Sequence, residues 1–279
     1  MKLTEVKIVA DSAADVLAIT SVPYAVAPLK MIAKTGEYVD DENLDVEKMI
    51  DDLAENDDRV TTSCPSEYDW MERFDDAKYV FCVTITSGLS GSCNAALLAK
   101  REYEEKYPDR KVCVVDSLST GPEMKLILEK LEELILAGES FETVCEKIAE
   151  YQKTTGLCFM LQSLTNLKNN GRVSGILAKI AGILGLRFIG VASAVGTLEQ
   201  VAKSRGDHGT LKKMLEVIKE RGYKGGKLRI GHCRNQALAE AFKAFVDTEF
   251  KSIDVEIYPL RGLCSFYAER GGLLVGFEG

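Results

Sequence analysis

The sequence predicts an α/β protein of two domains, the first a parallel sheet with helices on both faces, the second an α+β unit with a mixed sheet. Three observations carry that expectation. At 279 residues the chain is too long for one small core, and 46% of it is hydrophobic, ample for a buried interior. In the first half, short apolar runs alternate with amphipathic stretches, as parallel strands require, because each must cross back over the sheet through a helix. In the second half, extended runs follow one another with no helix between, a pattern that belongs to a mixed sheet.

Taken in order, residues 7–10 read as a strand ending in Asp11-Ser12-Ala13-Ala14-Asp15, and residues 22–28 as extended. Residues 44–56 read as a helix, with Leu44, Val46, Met49, Ile50 and Leu53 facing inward. A helix over 67–74, a strand over 79–85 and a helix over 91–107 follow. A strand over 111–115 then ends in Asp116-Ser117, and helices cover 122–137 and 141–153. These elements make a Rossmann-like unit over residues 1–155. In the remainder, 156–279, residues 156–162, 188–194 and 198–204 are extended. Helices at 209–221 and 236–248 are interleaved with strands at 227–232, 254–260 and 273–277.

Composition narrows the function. A net charge of −8, with only isolated basic pairs such as Lys100-Arg101 and Lys212-Lys213, disfavours nucleic acid. No apolar run reaches the roughly 20 residues of a membrane helix. The longest candidate, 176–191, is broken by Lys179, Gly182, Gly185 and Arg187. A strand pattern begins at Val6 with no signal peptide ahead of it, so a cytoplasmic protein is expected. Eight cysteines are scattered without a C-x-x-C pair, which argues for reduced thiols and against a structural metal.

Two hydroxyl-rich stretches carry the chemistry: Thr61-Thr62-Ser63-Cys64-Pro65-Ser66 and Thr86-Ser87-Gly88-Leu89-Ser90-Gly91-Ser92. Each precedes a helix, and the second follows a strand. The first amides of a helix lack partners and lie at its positive end, so strand, hydroxyl turn and helix start together hold an anionic oxygen group. Thr62, Ser63, Ser90, Gly91 and Ser92 are the candidate donors, and Arg172 is the candidate cation. Helix capping is the simpler reading of Thr62, Ser63 and Ser90. Residues 175–186 are apolar nearly all round, which requires full burial or a ligand to cover. Ile176, Leu177, Ile180, Ile183 and Leu184, with Phe159 and Leu161 from the preceding strand, are candidate walls of an aliphatic tunnel, or ordinary core. No G-x-S-x-G elbow and no Walker-type loop occur, and only two histidines are present. A binding protein without a cofactor is therefore favoured over a phosphotransferase-like or hydrolase enzyme, and over a binder of phosphosugars.

The motifs resemble those of the DegV family of fatty-acid-binding proteins. The resemblance runs from about residue 6 to the C-terminus, through Asp11-Ser12-x-x-Asp15, Thr62-Ser63-x-Pro65-Ser66, Ser87-Gly88-Leu89-Ser90-Gly91-Ser92, Asp116-Ser117-x-Ser119-x-Gly121 and Asn170-Gly171-Arg172-Val173. It implies a two-domain protein that buries one long-chain fatty acid, such as palmitate, between its domains, with the carboxylate on Thr62 and Ser90. Some members carry the acyl chain for a separate fatty acid kinase subunit. Near the C-terminus the family commonly has a histidine before a glycine-proline-glycine run. Here Tyr267 stands in its place, with Glu269 two residues on. A carboxylate there would repel a bound acid unless Arg172 or Arg270 intervenes or Glu269 points away.

Overall fold

The computed structural model describes residues 1–55, 58–173, 185–251 and 253–279. Its first half contains β1 (Val6–Asp11), β2 (Tyr24–Ala27), β3 (Lys30–Ala33), β4 (Gly36–Val39), β5 (Thr61–Ser63), β6 (Tyr79–Thr84) and β7 (Lys111–Asp116). The second half contains β8 (Thr155–Leu161), β9 (Arg187–Ala192), β10 (Leu198–Ser204), β11 (Lys227–His232), β12 (Asp254–Pro259) and β13 (Leu273–Glu278).

Four strands pair in the order β2-β1-β6-β7, all parallel. Successive side chains point to opposite faces, and both faces are covered. Val9, Val80 and Cys82 cluster with Trp70, Phe74 and Tyr103 of helices Glu67–Phe74 and Ser92–Lys106. Ile8, Ala10, Phe81 and Val83 cluster with Met124 and Ile127 of helix Pro122–Leu136 and with Val144 and Ile148 of helix Phe141–Tyr151. Ala10 is level with Val83, and Thr84 with Asp116, so the strands end along one edge.

A small antiparallel sheet, β4-β3-β5, lies beside that edge. It corrects the reading of residues 61–63 as a turn: Thr62 is paired opposite Met31. Three residues are too few to show a period, and the partner strand is some thirty positions upstream. The cap of the next helix falls to Ser66, whose Oγ accepts from the Asp69 amide at 3.2 Å. Thr62 and Ser63 are therefore not its caps.

The second half forms a mixed sheet in the order β10-β9-β8-β13-β11-β12, with only β11 and β12 parallel. Cys158 and Met160 of β8 face the core made with helices Asp207–Glu220 and Gln236–Asp247. Leu157, Phe159 and Leu161 face the other way, toward the parallel sheet's edge. Helix Pro122–Leu136 touches both sheets, and a side chain at Gly276 would lie 2.5 Å from the Pro122 carbonyl carbon. No helix among the described residues is long and apolar enough to cross a membrane. All eight cysteines are unpaired.

Near its end the chain returns to the first core. Helix Gly262–Ala268 places Leu263 and Phe266 among the residues packed on β1 and β6. It has no local side-chain cap. Asp40, fully buried, accepts from the amides of Gly262 at 3.0 Å and Leu263 at 2.9 Å, and Asp15 Oδ1 accepts from the Arg261 amide at 2.8 Å. The cap comes from residues more than two hundred positions away, and for that reason the sequence reading missed this helix. A division of the chain between residues 155 and 156 separates the two larger sheets but not this helix, and as a domain boundary it stands as a proposal.

A buried ion pair ties helix Pro122–Leu136 to β11. Arg229, 5% exposed, donates from Nε to Glu129 Oε1 at 2.6 Å and from Nη2 to Glu129 Oε2 at 2.7 Å. Removing one partner of a fully buried pair costs about 3–5 kcal/mol. Lys227 remains 3.6 Å from Glu129, which is part exposed, so Arg229→Met is expected to cost about 2 kcal/mol, the strongly buried figure reduced. Urea unfolding measures it, and a loss under about 0.5 kcal/mol, the scale of ordinary surface substitutions, contradicts this assignment.

Candidate functional site

A cavity of about 300 Å³ lies between the edge of the parallel sheet and the Leu157-Phe159-Leu161 face of the mixed sheet. Thr62, Ser63, Ser90, Gly91 and Arg172 all line it, together with Phe159 and Leu161. The structure thus gathers residues from four separate segments around one space. The other tunnel candidates, Ile176, Leu177, Ile180, Ile183 and Leu184, lie outside the described residues.

Each polar lining residue is held from behind. β5 presents Thr62, whose Oγ1 is 2.8 Å from the hydroxyl of Tyr267 on helix Gly262–Ala268. Ser63 Oγ donates to the Cys64 carbonyl at 3.2 Å. Ser90 Oγ accepts from the Ser92 amide at 3.3 Å, in the first turn of helix Ser92–Lys106. A side chain at Gly91 would meet Cys64 Sγ at 3.2 Å, so glycine lets the two motifs close on each other. Asn170 Nδ2 donates to the Val60 carbonyl at 3.0 Å, and Gly171 turns the chain at φ +71°. That turn brings Arg172 beside the second motif, where Nε donates to the Leu89 carbonyl at 3.3 Å and Nη1 to the Asn170 carbonyl.

Ser92 behaves differently from its neighbours. It is fully buried, does not line the cavity, and donates from Oγ to Asp11 Oδ2 at 2.6 Å. The same carboxyl oxygen accepts from the Ile85 amide at 2.8 Å. Asp11 therefore ties the loop after β6 to the start of the helix, beneath the lining hydroxyls. Burial pushes the Asp11 carboxyl up to about 7.

The hairpin between β9 and β10 also reaches this loop. Thr86 Oγ1 donates to the Gly196 carbonyl at 2.8 Å, and a side chain at Gly88 would lie 2.9 Å from that same oxygen. Glycine at 88 lets the two backbones meet.

The Tyr267 phenol is held neutral, since burial raises its pKa above the usual tyrosine range. Burial raises the Cys64 thiol likewise. Glu269 points away from the hydroxyls, its Oε1 accepting from the Asn166 amide at 3.0 Å, and Arg270 pairs with Asp51 at 2.9 Å. The feared repulsion from Glu269 is thus avoided by its orientation. His232 Nδ1 accepts from the Asn235 amide at 3.4 Å, and His208 lies edge-on to Phe245; neither lines the cavity. The polar end of the cavity therefore offers neutral hydroxyl donors and one guanidinium, a set chemically suited to an anion.

Sequence reasoning missed much of the wall. Leu263, Cys264, Tyr267 and Ala268 line the cavity with the i, i+1, i+4, i+5 spacing of one helix face. That signal was present in a helix that went unread. Leu157 continues the period of two set by Phe159 and Leu161 and was readable on the same ground. Leu29, Leu274 and Thr120 carried no local signal.

Comparison with known proteins places this architecture. The DegV family model matches residues 5–278. A DegV domain-containing protein of Streptococcus pneumoniae strain R6 is 39% identical over 276 residues, 98% of each chain. Among solved structures, a DegV family protein from Eubacterium eligens loaded with heptadecanoic acid is 42% identical, with a TM-score of 0.95. The match covers 98% of this chain and 99% of that one. The Streptococcus pneumoniae Fatty Acid Kinase (Fak) B3 protein loaded with linoleic acid is 39% identical with a TM-score of 0.96, over 98% and 99% of the two chains. With residues 5–278 matched by the family model, the chain belongs to the DegV family.

Proposed function

We propose that this chain binds one long-chain fatty acid, such as palmitate, with the carboxylate at Thr62 and Ser90 and the acyl chain along the aliphatic wall. The observation that carries this is the polarity of one cavity. Thr62, Ser90, Arg172 and Tyr267 are hydroxyl or cationic, and Leu157, Phe159, Leu161, Leu263 and Leu274 are hydrocarbon. In the Thr62–Tyr267 pair, one hydroxyl donates to the other. A carboxylate facing the pair can accept a hydrogen bond from each hydroxyl in place of the one between them, and Arg172 offsets its desolvation. Each buried methylene adds about 0.8 kcal/mol. The relatives loaded with heptadecanoic and linoleic acid support this reading.

The chain reads as a binding protein without a cofactor, a reading supported by the likeness to proteins loaded with fatty acid. It presents the carboxylate to a separate fatty acid kinase subunit in the cytoplasm, a role supported by the likeness to the Fak B3 protein. Mass spectrometry of ligand extracted from purified protein tests the proposal. About one acyl chain per protein is expected. A polar phosphorylated compound, or failure to take up any added fatty acid, refutes it.

A further inference from the structure

We propose that Phe159 sets how much acyl chain the cavity accepts, because its ring closes the cavity off from a second apolar void. The inference rests on the fatty-acid reading above and adds a determinant of chain length to it. The void is about 10 Å³ and shares Phe159, Leu167 and Leu198 with the main cavity. Beyond that partition it is bounded by Leu164, Val173 and Phe188, with Gln200 as its one polar side chain among the described residues. A space this small and apolar sits at the limit for one water, so it is dry and chemically suited to methylene groups.

The ring is lodged in a defined slot. β8 pairs with β9 so that Phe159 lies opposite Gly190. A side chain at Gly190 would come within 2.3 Å of Phe159 Cζ and 2.6 Å of Cε2. The tip of the ring therefore occupies the space over β9 where that strand has no side chain, and the ring borders both spaces. Leu157 and Leu161 flank it on the same face of β8 and line only the main cavity. A smaller side chain at position 159 joins the void to the cavity and frees the part of the ring's volume that the new side chain does not fill.

Competition among saturated acids from myristic to behenic, with bound lipid quantified by mass spectrometry, tests this on the full chain. Each methylene newly accommodated raises retention about fourfold. In Phe159→Leu the bound ratio of arachidic to palmitic acid is expected to rise at least about tenfold over wild type, from two or more added methylenes. A purely structural role lowers retention of all lengths together and leaves the ratio still. Leu198→Ala opens the same partition from its other side and must move the ratio in the same direction, which keeps the test decisive if Phe159→Leu does not fold. A ratio unchanged in both variants, with palmitic acid still bound, overturns the assignment of Phe159. Wild-type protein that retains no acid of any length overturns the fatty-acid reading itself.

Discussion

Alanine at both Thr62 and Ser90 is expected to weaken long-chain fatty acid binding by about 2–6 kcal/mol, since a buried anion loses about 1–3 kcal/mol with each donor. On a dissociation constant this is a loss of at least about thirtyfold. Each single variant is expected to cost about 1–3 kcal/mol, and any departure of the double variant from their sum measures how far the two hydroxyls act on one carboxylate. Tyr267→Phe offers a graded control. It removes the partner that lies 2.8 Å from Thr62 Oγ1 while keeping the ring in the wall. Displacement of a fluorescent fatty acid gives the affinities, and circular dichroism melts check that the fold is intact. If both single variants bind within twofold of wild type, the carboxylate does not sit between these hydroxyls.

Stability is expected to rise as pH falls from 8 to about 5.5. Burial raises three carboxyls far above their usual range: Asp11 to about 7, Asp15 to about 8 and Glu123 to about 7. Asp15 is partly exposed as a residue, but its Oδ2 is buried without a hydrogen-bond partner, and the nearby Asp40 carboxyl adds to the rise. A carboxyl with a raised folded-state pKa binds a proton in the folded chain that the unfolded chain has already released. Its contribution is fully present below the ordinary carboxylate range and is lost as pH climbs through about 7 to 8. Each group adds at most about 1.4 kcal/mol per pH unit in that window. Asp51, held near 2 by Arg234 and Arg270, opposes this only at lower pH, and burial of His232, which lowers its pKa, opposes it in part below about 6.5. Urea midpoints at pH 5.5 and 8 measure the effect. Asp15→Asn keeps an acceptor for the Arg261 amide and is expected to flatten the slope. Equal midpoints at the two pH values would show that these groups are ionised in the folded chain.

Much of the fold was legible because its signals are local. Tyr79–Thr84 and Lys111–Asp116 are short apolar runs bounded by turns, and Ser92–Lys106 begins where the hydroxyl motif ends. The hydroxyls that line the cavity were legible too, as residue types, although only Ser90 lies at a helix start and Thr62 and Ser63 lie in a strand. The small sheet β4-β3-β5 was not, because its strands are too short to show a period and β5 joins from some thirty residues away. Helix Gly262–Ala268 was hidden for a related reason. It opens on glycine, and the groups that satisfy its first amides are Asp40 and, just before it, Asp15.

From the sequence alone came the alternation of strand and helix, the two hydroxyl loops and the want of a basic surface. These depend on neighbours within a few residues, where side-chain period and turn chemistry act directly. Only the tertiary structure decided that Ser90 faces the cavity while Ser92 turns to Asp11, that Glu269 is directed to the Asn166 amide, and that Tyr267 meets Thr62. Those outcomes join residues as much as 205 positions apart. Their pairing is set by how two sheets and a returning helix fill the space between them, and no local pattern records it.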